Sequence, residues 1–197
     1  ALSSASFRMV GPIYGQEVGL TANQIGSFLA AFVAGGAIAQ YPVGWLADKY
    51  DRRWVMIRLS VAAILSCGFT VAMAGNGTFA IMAASFLFGL TTFPIYSVAT
   101  AHAHDFASSD QRVELSAALM FFFAVGAIAA PYTTSALIAY FGPAALFYFI
   151  SVGHVVLVAF GLTRMRVRNA PEDRTRYIYA PRTSFGIGRL LGRSRER

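Results

Sequence analysis

Long apolar runs separated by short polar stretches dominate this chain. Each run extends over about 20 residues, the length a helix needs to cross the hydrocarbon core of a bilayer, without the apolar and polar alternation of a soluble domain. The pattern predicts an all-α transmembrane bundle. Six apolar segments are predicted, over residues 1–15, 21–46, 54–74, 78–101, 115–140 and 144–163.

The first of these segments is the shortest. Residues 1–15 fall short of a spanning helix, so we expect the start of this helix to be missing from the sequence. The chain also begins without an initiator Met or the basic region of a signal peptide. The sequence therefore predicts five complete spans and one truncated span.

Turn and cap signals fall between the segments. Thr21 or Asn23 is expected to cap the second helix, and Asn76-Gly77 is expected to form a tight turn before the fourth. Gly142 and Pro143 interrupt the chain between the fifth and sixth segments. These signals support the same division of the chain.

Basic residues occur only in every second connection. Lys49, Arg52 and Arg53 follow the second segment, Arg112 follows the fourth, and a basic tail over residues 166–197 follows the sixth. Because loops rich in Lys and Arg stay in the cytoplasm, the pattern predicts a cytoplasmic C-terminal tail and a bundle over residues 1–165. We expect this membrane to be the bacterial cytoplasmic (inner) membrane.

Composition agrees with a membrane location. Hydrophobic residues make up 56% and charged residues 13% of the chain, against about 25% charged in a soluble domain. The net charge of +7 comes mostly from the flanks and tail, so nucleic acid is not an expected partner. Cys67 is the one cysteine and lies in an apolar run, where a small core residue is expected in place of a disulfide or metal ligand.

Two short sequence motifs occur twice in the chain, in the same order. Pro-Ile-Tyr occurs at 12–14 and again at 94–96, and Gly-Ala-Ile-Ala occurs at 36–39 and again at 126–129. Segments one to three therefore resemble segments four to six. An odd number of helices in each unit places the second unit upside down in the membrane, which predicts a 3+3 inverted repeat.

A dense charged loop follows the second segment. It reads Gly44-Trp45-Leu46-Ala47-Asp48-Lys49-Tyr50-Asp51-Arg52-Arg53. A carboxylate at the end of one helix can pair with an arginine at the start of the next, so Asp48 is expected to contact Arg52 or Arg53, or another helix N-terminus.

This loop resembles the cytoplasmic motif of the major facilitator superfamily, which runs Gly, any residue, Leu, Ala, Asp, a basic residue, any residue, Gly, Arg and Arg or Lys. The positions that match are Gly44, Leu46, Ala47, Asp48, Lys49, Arg52 and Arg53. Asp51 departs from the motif, where the family most often has Gly.

The resemblance covers residues 1–165 and implies the C-terminal six-helix half of a twelve-helix secondary transporter. It implies an alternating-access carrier of a small solute, a missing N-terminal half as partner, and no cofactor. It also implies a gating role for Gly44, Asp48, Lys49, Arg52 and Arg53, with Asp48 stabilising one access state.

Three side chains are candidates for substrate or coupling contacts. Arg8 lies about 13 Å of helix before Glu17 and so near mid-membrane, where a cation is costly and often functional. Arg8 could bind an anionic group of a substrate, or pair with an acid of the missing half. His154 could relay protons or simply pack as a neutral histidine. Tyr14, in the first copy of the repeated Pro-Ile-Tyr motif, is the third candidate.

The polar stretch after the fourth segment is read as a solvated loop. His102, His104 and Asp105 lie close in sequence, but alternate helical positions point in different directions, which disfavours a metal site. Arg112 could pair with an acid of the charged loop. Glu114 is expected in the first turn of the fifth helix, where the helix dipole favours an acid.

Two other classes of function remain open. A membrane-embedded enzyme is disfavoured, because the sequence has no paired intramembrane carboxylates and no His-rich metal motif. A non-transporting receptor or assembly protein could share the fold, because a fold does not fix a function.

Overall fold

A computed structural model describes residues 1–108 and 110–167 of the chain. Within these ranges the protein is all-helical and has no strand, which confirms the predicted fold class. The helices are α1 (Leu2–Glu17), α2 (Ala22–Lys49), α3 (Arg52–Ala72), α4 (Thr78–His104), α5 (Arg112–Phe141) and α6 (Ala145–Val167). The predicted tail lies outside the described residues, apart from the end of α6.

Five of these helices, α2 to α6, are long and apolar enough to cross a membrane. They contain between 21 and 30 residues, whereas α1 contains 16. Several helices run further into the charged connections than their apolar segments predicted. Lys49 in the last turn of α2 is compatible with this extension, because a cation there complements the helix dipole.

The connections between helices use the predicted turn residues. Thr21 is the N-cap of α2 and forms a capping box with Gln24, which confirms one of the two predicted caps. Gly77 and Gly142 have φ angles of 90° and 81°, a region that favours glycine. Both glycines directly precede or begin the turn into the next helix.

The pairing of the helices supports the predicted inverted repeat. The most extensive packing joins α2 to α4, with related contacts of α1 on α5 and of α3 on α6. Exchanging the first three helices with the last three converts the α2–α4 pair into the α5–α1 pair. Gly36 faces Phe93 of α4 and Gly126 faces Ala1 beside α1, so each recurring glycine meets the first helix of the opposite unit.

The α2–α4 crossing depends on two glycines. A Cβ atom placed on Gly35 would overlap the carbonyl group of Phe86, and one placed on Gly89 would overlap the carbonyl group of Phe32. Small residues at such a crossing allow two membrane helices to pack backbone against backbone.

Aromatic side chains fill the centre of the bundle, where α1, α2, α4 and α6 meet. The rings of Phe7 and Phe32 lie 4.3 Å apart, and those of Tyr14 and Phe147 lie 4.8 Å apart in an edge-to-face pair. Cys67 is buried beside this cluster, as the sequence predicted. In contrast, Phe121 and Phe122 of α5 are 64% and 71% exposed, as expected for side chains that face lipid or a missing neighbour.

Candidate functional site

The charged loop and the end of α4 form one ion-pair cluster, here called the charge cluster, of Asp48, Arg52 and Asp105. The Nη2 atom of Arg52 donates to Asp48 Oδ1 at 3.0 Å, and its Nη1 atom donates to Asp105 Oδ1 at 2.5 Å. Nη1 also donates to the carbonyl oxygen of Ala101 at 2.9 Å. Arg52 therefore joins the end of α2, the start of α3 and the end of α4.

Two of the three side chains of the charge cluster are buried, and the third is partly exposed. The side chains of Arg52 and Asp105 are 6% and 2% exposed, whereas that of Asp48 is 21% exposed. A buried cation between two carboxylates keeps its hydrogen bonds only while the three helix ends stay together. The Asp48 end of the cluster is the more accessible one, and it lines a broad groove between α2 and α4 with Gly44.

The other residues of the motif make separate contacts. Lys49 Nζ lies 4.9 Å from the Trp45 ring centroid and 5.6 Å from that of Tyr50. Gly44 has open space where a Cβ atom would be. The motif thus divides into the charge cluster and an exposed part.

Asp51, which departs from the family motif, has a structural role. Its carboxylate accepts a hydrogen bond from the backbone N–H of Arg53 at 2.9 Å and so caps α3. It also pairs with the guanidinium group of Arg53 at 2.7 Å. The aspartate therefore replaces the flexibility of the usual glycine with a fixed helix start.

Loss of this cap is expected to lower stability. Asp51→Ala in the full-length parent should cost about 1 kcal/mol, the usual value for an N-cap, whereas Asp51→Asn keeps a capping side chain and should lose less. Thermal unfolding of both purified variants would measure the difference. Equal midpoints for wild type, Asp51→Ala and Asp51→Asn would contradict the capping role.

The sequence pattern does not identify Asp105 as a member of the charge cluster. The sequence pattern places it in a solvated loop and offers Arg112 as one residue that could pair with an acid of the charged loop. The structure instead places Asp105 against Arg52 and leaves Arg112 exposed at the start of α5. The signal was available in principle, because the positive-inside pattern already places the end of α4 on the same face as the charged loop.

The neighbouring histidines have different surroundings. His102 Nδ1 lies 4.0 Å from Asp105 Oδ2, and His104 Nε2 lies 3.2 Å from the hydroxyl of Ser116 on α5. The two side chains therefore face different partners. Glu114 lies in the first turn of α5, as predicted.

Arg8 and His154 line one cavity of about 540 Å³, here called the central cavity. All six helices contribute to its walls, and the lining includes Gln40, Phe93 and Ser97. The guanidinium carbon of Arg8 lies 5.3 Å from the Phe93 ring centroid, within the range of a cation–π contact. Arg8 is exposed, and no carboxylate among the described residues forms an ion pair with it.

His154 is held from α1. The His154 Nε2 atom lies 2.9 Å from the hydroxyl of Ser3, and the residue is 6% exposed. Its Nδ1 atom is buried without a hydrogen-bond partner among the described residues. A buried ring nitrogen beside a cavity can accept or donate a hydrogen bond to a molecule that enters it.

Tyr14 occupies a different position from these two residues. It is 1% exposed inside the aromatic cluster, and its hydroxyl donates to the carbonyl oxygen of Thr70 at 3.2 Å. The side chain therefore joins α1 to α3 away from the lining of the central cavity. Its proposed part in substrate contact stays a prediction, and any effect would act through the position of α1.

The fold and these features define a membrane-embedded helical bundle with Arg8 lining a cavity and the charge cluster at one end. The model of the Major Facilitator Superfamily matches residues 1–193. The chain belongs to this family, and it is an integral membrane protein.

Several bacterial relatives match most of the chain, and all are described as uncharacterized MFS-type transporters. One from Yersinia pestis (strain Pestoides F) is 32% identical over 166 residues, covering 84% of this chain and 41% of the relative. One from Enterobacter sp. (strain 638) is 32% identical over 169 residues, covering 86% and 42%. YcaD of Escherichia fergusonii is 31% identical over 160 residues, covering 81% and 39%. The chain thus spans about two fifths of the length of the curated relatives it matches.

Proposed function

We propose that this chain is the C-terminal half of a secondary carrier that moves a small solute across the bacterial cytoplasmic membrane by alternating access. Family membership and the names of the bacterial relatives support transport as the class of function. A central site with two units rocking around it is the usual device of carriers built from inverted repeats. A second half of similar size would complete the cavity and is its expected partner.

The observation that carries the proposal is the position of Arg8. It is an exposed cation on α1 of a membrane protein, it lines the central cavity, and it has no acidic partner among the described residues. A cation in such a setting is costly unless something pairs with it. We infer that an anionic group of the solute is this partner, bound by the two-pronged guanidinium.

His154 is the proposed proton-coupling residue. It lines the same cavity as Arg8, and its Nδ1 atom is buried without a partner in the described part of the chain. A change in its protonation would alter the charge that the solute meets beside Arg8. Transport would then be coupled to protons, because the proton on His154 and the solute at Arg8 occupy the same cavity.

The charge cluster is the proposed gate. Arg52 and Asp105 fix three helix ends within this half, while the more exposed Asp48 lines the groove between α2 and α4. In this arrangement Asp48 can exchange its contact with Arg52 for a contact with the other half. Formation and loss of that contact would bias the two access states, because a ligand or contact shifts an equilibrium only by its preference for one state.

The end of the bundle that carries the charge cluster also bears on its orientation in the membrane. The hydrogen bond of His104 to Ser116 and the pair of Arg52 with Asp105 bring the ends of α4 and the starts of α3 and α5 together. We propose that this basic end, with the tail that follows α6, faces the cytoplasm.

Uptake into vesicles that contain the full-length parent tests the proposal. Labelled anionic and neutral metabolites should be compared with and without an imposed pH gradient. We expect uptake of an anion that Arg8→Ala reduces by at least about 100-fold, the scale of one lost charged hydrogen bond of roughly 3 kcal/mol.

Two controls make that result specific. Met9 is the exposed neighbour of Arg8 in sequence and does not line the cavity. The Met9→Ala variant should therefore transport normally. Arg8→Lys keeps the charge but not the fork, and should keep part of the activity. Full activity in Arg8→Ala would reject the anion site, and absence of any flux from inserted protein would favour a receptor or assembly role.

A further inference from the structure

A second recess opens at the charged end of the bundle, between α3, α4 and α6. It has a volume of about 360 Å³ and is here called the lateral groove. Its walls are largely apolar and its rim is basic. The residues that carry the argument are Arg53, Ile57, His102, Phe160, Gly161 and Arg164.

The walls of the groove suit a hydrocarbon chain. Gly161 packs on Ile57 so closely that a Cβ atom there would lie 3.2 Å from the Ile57 side chain. Both residues line the groove, Ile57 from α3 and Gly161 from α6. Two further lining residues, Phe160 and Phe106, are 61% and 48% exposed.

The rim carries cations and no acid among the described lining residues. Arg53 lies in the first turn of α3, and Arg164 lies in the last turn of α6, where it is exposed. Asp51 neutralises part of the Arg53 charge through its ion pair. The exposed cation of Arg164 therefore has the largest share in attracting an anion to the rim.

We propose that the lateral groove binds an anionic phospholipid of the cytoplasmic leaflet. The phosphate lies at Arg164 and Arg53, and one acyl chain lies along Ile57 and Phe160. Guanidinium groups match phosphate oxygens with paired hydrogen bonds. Basic recesses between membrane helices on the cytoplasmic side are suited to anionic headgroups.

Charge complementarity selects this occupant over the chain's own tail. Residues 168–197 contain eight arginines and only three acids, so the basic rim repels them. A zwitterionic lipid would fill the apolar part of the groove equally well but would gain less at Arg164. The rim lies at the start of α3 and the end of α6. Lipid headgroups surround spanning helices at this level.

This inference does not depend on the transported solute. Met56, Ala99 and Leu157 line both the groove and the central cavity, so a transport assay would mix the two sites. Direct lipid binding is the appropriate measurement.

Native mass spectrometry of the purified full-length parent, mixed with dioleoyl phosphatidylglycerol or dioleoyl phosphatidylcholine, provides the test. We expect retention of phosphatidylglycerol over phosphatidylcholine. Arg164→Gln should weaken phosphatidylglycerol binding about fivefold, the factor for one basic residue near an anionic membrane surface. Arg112→Gln removes an exposed arginine at the start of α5, outside the groove, and should leave binding unchanged.

A water-soluble headgroup analogue provides the competition control. Glycerol 3-phosphate at millimolar concentration should fail to displace the lipid, since it lacks the acyl chain. Equal retention of both lipids, equal loss in the Arg164→Gln and Arg112→Gln variants, or displacement by glycerol 3-phosphate would each overturn the proposal.

Discussion

Gly89→Ala is expected to prevent normal packing of α2 on α4 and to leave little folded protein. The added Cβ atom would lie 2.8 Å from the carbonyl carbon of Phe32 and would overlap its oxygen. Backbone atoms cannot move aside as a flexible side chain can, so the two helices must separate. Overpacking of this kind should cost about 3 kcal/mol or more.

The neighbouring interactions explain why separation would be so damaging. Ser85 donates to the carbonyl oxygen of Phe28 at 2.6 Å across the same crossing. The rings of Phe32 and Phe88 stack with centroids 5.5 Å apart beside it. Moving α4 away from α2 would break the hydrogen bond and open a gap in the aromatic cluster.

Gly68→Ala is the matched control for this prediction. Gly68 lies within α3, is exposed, and has open space where the new Cβ atom would lie. Detergent-solubilised parent protein should therefore unfold at a normal temperature in Gly68→Ala and be largely aggregated in Gly89→Ala. Similar behaviour of the two variants would show that the α2–α4 contact is not as close as described.

Arg52→Met should destabilise the protein by about 3–5 kcal/mol, the cost of breaking a buried ion pair by removing one partner. The substitution leaves the carboxylates of Asp48 and Asp105 close together without their shared cation. The side chain of Asp105 is 2% exposed, so water cannot replace the lost guanidinium without opening the end of α4. Chemical denaturation in mixed micelles would measure the loss.

Two further variants separate this effect from simple loss of an arginine. Arg53→Met removes a cation whose pair with Asp51 is more exposed, and should cost about 1 kcal/mol. The double variant Arg52→Met with Asp105→Asn removes the buried unpaired charge as well, and should be more stable than Arg52→Met alone. A double variant no better than the single one would rule out the unpaired carboxylate as the cause.

The helices were predictable because a bilayer imposes a simple length requirement. Five apolar runs of spanning length and one shorter run correspond to the six helices of the described residues. Thr21 and Gly142 marked helix boundaries through local chemistry. The charged ends of the helices were less predictable. Asp51 fixes the start of α3 through its side chain, a contact that hydropathy does not describe.

The candidate site was predictable where the chemistry is local in sequence. Asp48 and Arg52 lie four residues apart in sequence, on either side of the break between α2 and α3, and the expected pair is present. Asp105 lies 53 residues from Arg52, and its partner could be identified only from the packing of α4 on α3. The same limit applies to Tyr14, whose burial depends on rings supplied by Phe28 and Phe147.

Counterflow tests the central claim of alternating access most directly. Vesicles with the full-length parent are loaded with unlabelled solute and diluted into a trace of the same labelled anion. A carrier should accumulate label transiently above its outside concentration, because each outward step with unlabelled solute returns a site that captures label. We expect this overshoot for at least one anionic metabolite and its loss in Arg8→Ala. Entry of label without an overshoot, or no entry for any solute in correctly inserted protein, would contradict the account.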